Sequence, residues 1–287
     1  QNVEWIDAFF TVTSAVCVTG LSVIDVGKEL SLQGQILLLL SIQTGGLGIM
    51  TFSVFFTLLL RGRSSLVSRL SVGLTPHRAE LYDLAHVLGF VLAMTFTIEG
   101  VGSLLLFQRL KEVQGGEGAL FSAIFHSVSA FCNAGFSLYS DNLMQFQGEF
   151  YLPACIAGLI ILGGLGFMVI DETRAWFLAL CKRQKFRLSL HSRICLLFSA
   201  LFLILGTLVI FLLERQNLLS EMSLPSQLMN AFFLSVTSRT AGFNSLDTGS
   251  LMNATLFFVI LLMFIGGCPG STAGGIKVTT FAVLVGI

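Results

Sequence analysis

Three short turns in the sequence share a pattern of small residues around a glycine. They read SAVCVTGLSVID from Ser14, SAFCNAGFSLYS from Ser129 and TSRTAGFNSLDT from Thr237, and all three have apolar neighbours. Glycine frees the backbone from the Cβ restriction on φ, so such a turn can leave its carbonyl oxygens unpaired. Rings of backbone carbonyls can replace the hydration shell of K⁺. The chemistry that these residues favour is therefore the coordination of a cation by main-chain oxygen.

A single turn of this kind has a simpler explanation, since glycine commonly ends a helix at a membrane-surface loop. The pattern recurs, however, in register. Its three glycines are Gly20, Gly135 and Gly242, and a phenylalanine precedes each of them at the same interval. Repetition within a sequence indicates one structural unit in several copies. One shared role is therefore favoured over three unrelated helix ends.

The segments around the turns repeat as well. A short apolar segment leads into each turn, and it cannot cross a hydrocarbon core, which takes about 20 helical residues. A longer apolar run follows each turn and contains a glycine pair, at positions 45–46, 163–164 and 266–267. We therefore expect tandem repeats of spanning helix, short helix, turn and spanning helix. The predicted repeats are 1–60, which lacks its first helix, 61–185 and 186–287.

The composition places these repeats in a membrane. The 287 residues are 54% hydrophobic and 11% charged, and their mean hydropathy of +0.87 lies outside the range of soluble domains. Basic and acidic residues balance, with 16 of each, so the net charge indicates no nucleic-acid partner. The predicted spans are 34–60, 84–107, 150–170, 194–213 and 251–287, the last interrupted by GGCPGSTAGG. The sequence thus predicts an all-α polytopic membrane protein.

The basic residues predict how the chain is oriented. They concentrate in two segments: Arg61, Arg63, Arg69 and Arg78 lie in 61–83, and Arg174, Lys182, Arg183, Lys185, Arg187 and Arg193 lie in 174–193. Cytoplasmic loops are enriched in Lys and Arg. Both segments are therefore expected in the cytoplasm, and the three turns on the outer side.

Charged groups within apolar runs are costly in a membrane and are therefore candidates for function. Glu99 could bind a coupling cation, although we prefer a structural bond to a neighbouring helix end. Arg239 precedes Gly242 closely. Because a positive charge facing the pore would repel a cation, Arg239 is expected to point away and to support the turn through carbonyls or a carboxylate. The six cysteines show no metal-like clustering with histidine.

Two other classes of function fit the sequence less well. A cation-coupled secondary transporter that works by alternating access also uses broken helices, but it would have inverted repeats, whereas these repeats run in one direction. An intramembrane enzyme needs paired catalytic groups. His126 and Ser127 adjoin each other, and neighbouring positions on a helix point apart. We therefore predict a transport protein and not an enzyme.

On these motifs the chain resembles the Trk/Ktr/HKT superfamily of K⁺ transporters, and most of all the bacterial Ktr/Trk membrane subunit. SAVCVTGLSVIDVG with LLLLSIQTGGLGIMTF is similar to the first repeat, SAFCNAGFSLYSDNL to the second, and SRTAGFNSLD with GSTAGGIKVTT to the third. The resemblance implies a K⁺-channel-like fold, in which four repeats of helix, pore helix, filter turn and helix surround one pore. The fourth repeat has no counterpart here, so the sequence is expected to be a fragment of about three repeats.

The resemblance also implies K⁺ uptake across the cell membrane through a selectivity filter of backbone carbonyls. The filter residues, where K⁺ would bind, are Val18, Thr19, Gly20, Asn133, Ala134, Gly135, Thr240, Ala241 and Gly242. Some plant members that transport Na⁺ have serine at the first filter glycine, so Gly20 favours K⁺. The implied partners are a second copy of the chain, in a homodimer, and a cytosolic nucleotide-binding ring subunit. The resemblance implies no covalently bound cofactor, and it leaves open whether Na⁺ activates transport.

The last predicted span differs from its counterparts because glycine and proline interrupt it. Proline removes a hydrogen-bond donor, and each glycine costs a helix about 1 kcal/mol relative to alanine. A kink that only improves packing would explain this, but a polar loop in the path of the ion is also suited to act as a gate, and the resemblance implies an intramembrane loop here. Lys277 would hold the loop closed by bonding its carbonyls or by placing positive charge near the pathway. The predicted gate residues are Gly266, Gly267, Cys268, Pro269, Gly270, Ser271, Thr272, Ala273, Gly274, Gly275 and Lys277.

Overall fold

The computed structural model describes residues 4–62, 76–116 and 118–286, with side chains over 4–52, 87–116 and 118–286. Within these ranges the chain forms helices joined by turns, and no β-strand occurs among them. The main helices are Trp5–Val16, Leu32–Gly62, Pro76–Gln114, Ala119–Phe131, Tyr151–Leu165, Phe167–Cys181, Leu190–Glu214, Leu224–Thr237, Asn253–Phe264 and Val278–Leu284. The side chains of Arg61, Arg63, Arg69 and Arg78, on which the orientation partly rests, lie outside the described residues.

Three helices contain segments that are long and apolar enough to cross a bilayer: Leu32–Phe52, Val87–Gln114 and Leu190–Glu214. These segments coincide with three of the predicted spans. Large apolar side chains, among them Phe96 and Ile204, are exposed on their outer faces. Such an outer surface is typical of contact with lipid, because the free energy falls when apolar side chains leave water for an apolar environment. The predicted all-α polytopic membrane protein is thus confirmed.

The prediction of one continuous span over 150–170 is wrong. The structure ends one helix at Leu165 and begins the next at Phe167, with a bend of 106° between their axes. Gly166 makes the bend possible, since its φ is 80° and its ψ is 152°. A Cβ atom at Gly166 would lie 2.6 Å from the carbonyl oxygen of Pro269. A segment that is distant in the sequence therefore packs directly against the backbone at the bend.

That distant segment is the glycine-rich loop, residues 265–277, which separates the helices Asn253–Phe264 and Val278–Leu284. The interruption predicted for the last span is therefore present. The loop is closed at its base, where the Gly266 N–H donates to Ile276 O at 3.1 Å and the Ile276 N–H donates to Phe264 O at 3.1 Å. Most of its residues from Gly266 to Ala273 are buried.

Three shorter helices, Trp5–Val16, Ala119–Phe131 and Leu224–Thr237, lead into the glycine turns. They have 12, 13 and 14 residues, and at about 1.5 Å per residue none of them reaches across a core of about 30 Å. The second is the most enclosed, because it packs between the helices Pro76–Gln114 and Tyr151–Leu165. The turn that follows it therefore lies deep within the molecule.

The largest cluster of buried apolar side chains joins the second and third predicted repeats. It includes Ala130 and Phe233 on the short helices, Leu152 and Ile156 on the helix after the second turn, and Phe243 directly after the third turn. Because interiors of this kind are close-packed, the cluster holds the second and third turns in fixed positions relative to each other.

Candidate functional site

The three glycine turns come together in the fold. We call residues 17–20 turn one, 132–135 turn two and 239–242 turn three. A Cβ atom on Gly20 would lie 2.5 Å from the carbonyl oxygen of Ala134, and one on Gly135 would lie 2.6 Å from that of Ala241. A Cβ atom on Gly242 would lie 3.3 Å from the Gly135 Cα. The three glycines thus face one another's backbones, at a spacing that leaves no room for a side chain.

The three turns also share left-handed backbone at two equivalent positions. Each contains a left-handed residue that is not glycine, namely Val18 with φ of 54°, Asn133 with φ of 57° and Thr240 with φ of 70°. Two positions later each has its glycine, and the φ of these glycines lies between 72° and 82°. Asparagine tolerates the left-handed region, whereas β-branched residues rarely adopt it. The surroundings of Val18 and Thr240 must therefore hold them in place.

A hydroxyl group at the end of each short helix holds the turn that follows. Ser14 Oγ accepts a hydrogen bond from the Leu21 N–H at 2.9 Å, Ser129 Oγ donates to Phe136 O at 2.8 Å, and Thr237 Oγ1 donates to Phe243 O at 2.7 Å. The partner in each case directly follows the turn glycine. These three supporting residues were not predicted from the sequence, although each of the three turn motifs begins with one of them.

The glycine pairs allow two of the short helices to touch the helix after their turn. A Cβ atom on Gly45 would collide with the carbonyl oxygen of Val16, and one on Gly163 would collide with that of Phe131. Val16 and Phe131 are the last residues of their short helices. The pair at Gly266 serves differently, since a Cβ atom there would collide with Gly274 O within the glycine-rich loop.

The glycine-rich loop packs against turns two and three. The Gly274 N–H donates to Thr240 Oγ1 at 3.0 Å, and Thr272 Oγ1 donates to Phe131 O at 3.0 Å. The Cys268 N–H donates to Gly164 O at 2.9 Å. The residues predicted as a filter and those predicted as a gate are therefore in direct contact.

Two cations, Arg239 and Lys277, are bonded to carbonyl groups of the loop. Arg239 Nη2 donates to Gly266 O at 2.9 Å and lies 3.4 Å from Ser199 Oγ. Lys277 Nζ donates to Ala273 O. The carbonyl that Arg239 holds belongs to the loop and not to its own turn, so Arg239 links turn three to the loop.

Glu99 is buried beside the end of the second short helix. Its carboxyl group accepts a hydrogen bond from Gln43 Nε2 at 3.2 Å, and the thiol of Cys132, which caps that helix, lies 3.9 Å from it. Of these two partners, Cys132 lies at a helix end and Gln43 lies within the helix Leu32–Gly62, and the role of Glu99 stays a prediction. His126 and Ser127 have separate partners, since His126 lies against Ser122 and Ser137 while Ser127 Oγ donates to Glu99 O.

A polar cavity of about 190 Å³ adjoins turns one and two, and Asp25 lines it together with Gly20, Gly135, Ser140 and Asn142. A hydrogen bond from Ser140, followed by bonds from the backbone N–H groups of Lys28 and Gly27, holds the pKa of Asp25 below its usual value. Asp25 is therefore ionised at neutral pH, and it places a negative charge close to the turns. Within the described residues, no group of three or more His, Cys, Asp or Glu could hold a metal ion.

The chain is similar to known transport proteins along its whole length. The family model described as TrkH, cation transport protein, matches residues 1–286. The chain is 38% identical to the Ktr system potassium uptake protein B of Bacillus subtilis, over 99% of this chain and 63% of that protein. It is 40% identical to the protein of the same name from Vibrio alginolyticus, over 96% of this chain and 60% of that protein.

The fold is that of a solved transporter. The crystal structure of the potassium transporter TrkH from Vibrio parahaemolyticus matches with a TM-score of 0.75 and 23% identity, over 99% of this chain and 55% of that one. The potassium/sodium uptake protein NtpJ of Enterococcus hirae is 36% identical, over 99% of this chain and 62% of that protein. The chain thus spans less than two thirds of the length of these relatives.

Proposed function

Because the chain belongs to the TrkH family of cation transport proteins, we propose that it moves K⁺ into the cell through a filter of backbone carbonyls. The filter lies at turns one, two and three, in a multi-pass protein of the plasma membrane. Carbonyl oxygens suit an ion that binds weakly enough to leave again. Selection of K⁺ over Na⁺ is the property that the filter would supply.

One observation carries this proposal: three turns with the same left-handed pattern meet at Gly20, Gly135 and Gly242. Each turn follows the C-terminal end of a short helix. The dipole of a helix adds partial negative charge at this end, which favours a cation nearby. Backbone conformation, packing and electrostatics therefore support the same site.

The proposal is tested by Gly20→Ser. Serine would be strained at the φ of 82° that Gly20 adopts, and its Cβ atom would lie 2.5 Å from Ala134 O. We expect the ratio of K⁺ to Na⁺ uptake to fall about tenfold, which corresponds to a loss of about 1.4 kcal/mol in discrimination. Uptake is measured in cells that lack their own K⁺ uptake systems.

Gly48→Ser is the matched control, because a Cβ atom on Gly48 would meet nothing within 4 Å. It should leave the ratio of K⁺ to Na⁺ uptake near that of the parent. Equal ratios for Gly20→Ser and the parent would exclude turn one from the filter.

We further propose that the glycine-rich loop is the gate of this pathway. Its contacts with Thr240 and with Phe131 support this role, since a loop so close to the filter would obstruct the ion. Lys277 and Arg239 stabilise the closed arrangement by holding loop carbonyls. Opening then requires these bonds to break, which makes the loop a suitable point of control.

The proposed assembly is a homodimer with a cytosolic nucleotide-binding ring subunit. The surface proposed to bind the ring is the segment after Cys181, where Lys182, Arg183, Lys185 and Arg187 are all exposed. Exposed basic side chains steer acidic partners, and their effect weakens as salt is added. Na⁺ as an activator stays part of the proposal.

A further inference from the structure

Thr240 in turn three has a backbone conformation that its side chain disfavours. Its φ of 70° lies in the left-handed region, where a β-branched residue is an outlier. Such a conformation persists only when the surrounding structure holds it. The groups that contact Thr240 therefore help to determine the shape of the proposed filter.

One of these groups belongs to the glycine-rich loop. Thr240 Oγ1 accepts a hydrogen bond from the Gly274 N–H at 3.0 Å. The preceding residue, Arg239, donates to Gly266 O at 2.9 Å, near the other end of the loop. Two consecutive residues of turn three thus hold both ends of the loop, and the loop in turn holds the hydroxyl of Thr240.

Turn two has a similar contact at its own left-handed residue, Asn133. With its amide oxygen toward the loop, Asn133 Oδ1 lies 3.2 Å from Thr272 Oγ1 and shares that hydroxyl's one proton with Phe131 O, while Asn133 Nδ2 donates to Ala130 O at 3.2 Å. The third left-handed residue is Val18 in turn one, whose apolar side chain cannot form such a bond. The loop is therefore bonded to the filter through turns two and three.

We propose that Thr240 couples the position of the glycine-rich loop to the K⁺ affinity of the filter. This inference rests on the proposed function of the turns and the loop. When the loop is in place, its bond to Thr240 keeps turn three in the binding conformation. When the loop moves away, turn three loses this support and binds K⁺ more weakly, which favours release of the ion.

The coupling is reciprocal, because two linked equilibria shift each other by the same factor. Bound K⁺ therefore favours the loop in its closed position, and loss of K⁺ favours opening. A filter that weakens when its gate opens avoids holding the ion too tightly to conduct it. Thr240 is thus a positioning residue for the transported ion, in addition to its place in the filter.

The test is a double-mutant cycle on the purified transporter, with K⁺ binding measured by calorimetric titration. The changes are Thr240→Val, which keeps the shape of the side chain but removes the hydroxyl, and deletion of residues 267–274. We expect Thr240→Val to weaken K⁺ binding about fivefold or more, the lower end of typical coupling between sites. In the loop-deleted protein the same substitution should change K⁺ binding less than about twofold.

Thr240→Ser retains the acceptor and should restore most of the affinity that Thr240→Val loses. Thr272→Val gives a second measurement, since it removes the loop hydroxyl that contacts Asn133 and Phe131, and it should also weaken K⁺ binding. If Thr240→Val weakens K⁺ binding equally with and without the loop, the proposed coupling is wrong, whereas the proposed filter still stands. If neither the parent nor any of the variants binds K⁺, both the coupling and the proposed function are wrong.

Discussion

At the scale of single residues, hydroxyl groups determine how firmly each turn is held. Ser129 is fully buried and donates to Phe136 O, the first carbonyl after Gly135. Without that donor the carbonyl would be buried and unpaired, and an unsatisfied buried group costs about 1–3 kcal/mol. The stability of turn two is therefore expected to depend on a side chain outside the proposed filter.

Ser129→Ala should lower the midpoint of thermal unfolding and reduce K⁺ uptake. The free energy lost is expected to be about 1–3 kcal/mol, and the measurement is thermal unfolding of the purified protein in detergent. Ser41→Ala is the control, because Ser41 Oγ donates only to Leu37 O within its own helix. That substitution should change stability by less than about 0.5 kcal/mol. Indistinguishable midpoints for the two variants would contradict the support that we assign to Ser129.

The left-handed conformation of the turn glycines could be predicted from the sequence. The same conformation at the residues two positions before them could not. Glycine is the residue that a left-handed turn favours, so its recurrence at Gly20, Gly135 and Gly242 is informative. Val18 and Thr240 are β-branched, and branching at Cβ favours an extended backbone. Their left-handed φ values follow from tertiary contacts, such as the Thr240 bond to Gly274. Such contacts link segments that are far apart in the sequence.

At the scale of helices, the lengths of the long apolar helices could be predicted from the sequence, but the change of direction between two of the helices could not. The long apolar helices follow from hydropathy, which is a local property. The bend at Gly166 does not, since Leu165 and Phe167 would both continue an ordinary helix. The bend depends on Pro269 and Gly270, which occupy the space beside Gly166. The Phe167 N–H donates to Gly270 O at 3.3 Å, so the loop also satisfies a group at the new helix start.

The two ends of the glycine-rich loop lie together, which makes its proposed role testable by deletion. Gly266 and Gly275 lie in contact at the base of the loop, since a Cβ atom on Gly275 would lie 2.8 Å from Gly266 N. Deletion of residues 267–274 therefore joins two positions that already touch. We expect the deletion to raise K⁺ flux and to lessen the dependence of flux on the cytosolic regulator, measured in cells without other K⁺ uptake systems.

Replacement of residues 267–274 by a Gly/Ser segment of equal length is a suitable control. With glycine at positions 268 and 272 it keeps a loop in place but removes the Thr272 hydroxyl, which donates to Phe131 O, and the Cys268 thiol, which lies 3.7 Å from Ser199 Oγ. Its flux should lie between those of the parent and the deletion. A deletion variant that folds and conducts no faster than the parent would leave only the packing explanation for the interrupted helix.

At the scale of the whole molecule, three short helices bring their turns to one place, although the turns are far apart in the sequence. Each pair of neighbouring turns meets backbone to backbone, at Gly20 with Ala134 and at Gly135 with Ala241. The repetition in the sequence predicted the copies, and the resemblance implied that they share a site. Their closeness follows from packing, above all from the buried cluster that joins the second and third predicted repeats.

The basic segment after Cys181 lets the proposed assembly be tested on the intact molecule. Its four basic side chains are exposed and lie between two helices, in a stretch that is not itself helical: Lys182, Arg183, Lys185 and Arg187. Changing all four to Gln should reduce co-purification of a co-expressed nucleotide-binding ring subunit several-fold. The loss should resemble the effect of added salt on the parent, because exposed charges are screened within about 8 Å at physiological ionic strength.

Orientation must be controlled in this experiment, since basic residues also determine which side of the membrane a loop occupies. Cys181 is exposed beside the segment, so its protection from a membrane-impermeant thiol reagent in intact cells reports that the segment is still cytoplasmic. Changing Lys28 and Lys111 to Gln removes charge from the predicted outer side and should leave ring binding unchanged. If the four-residue variant keeps its orientation, its ring binding and its response to nucleotide, the segment serves only to orient the chain, and the ring must bind elsewhere.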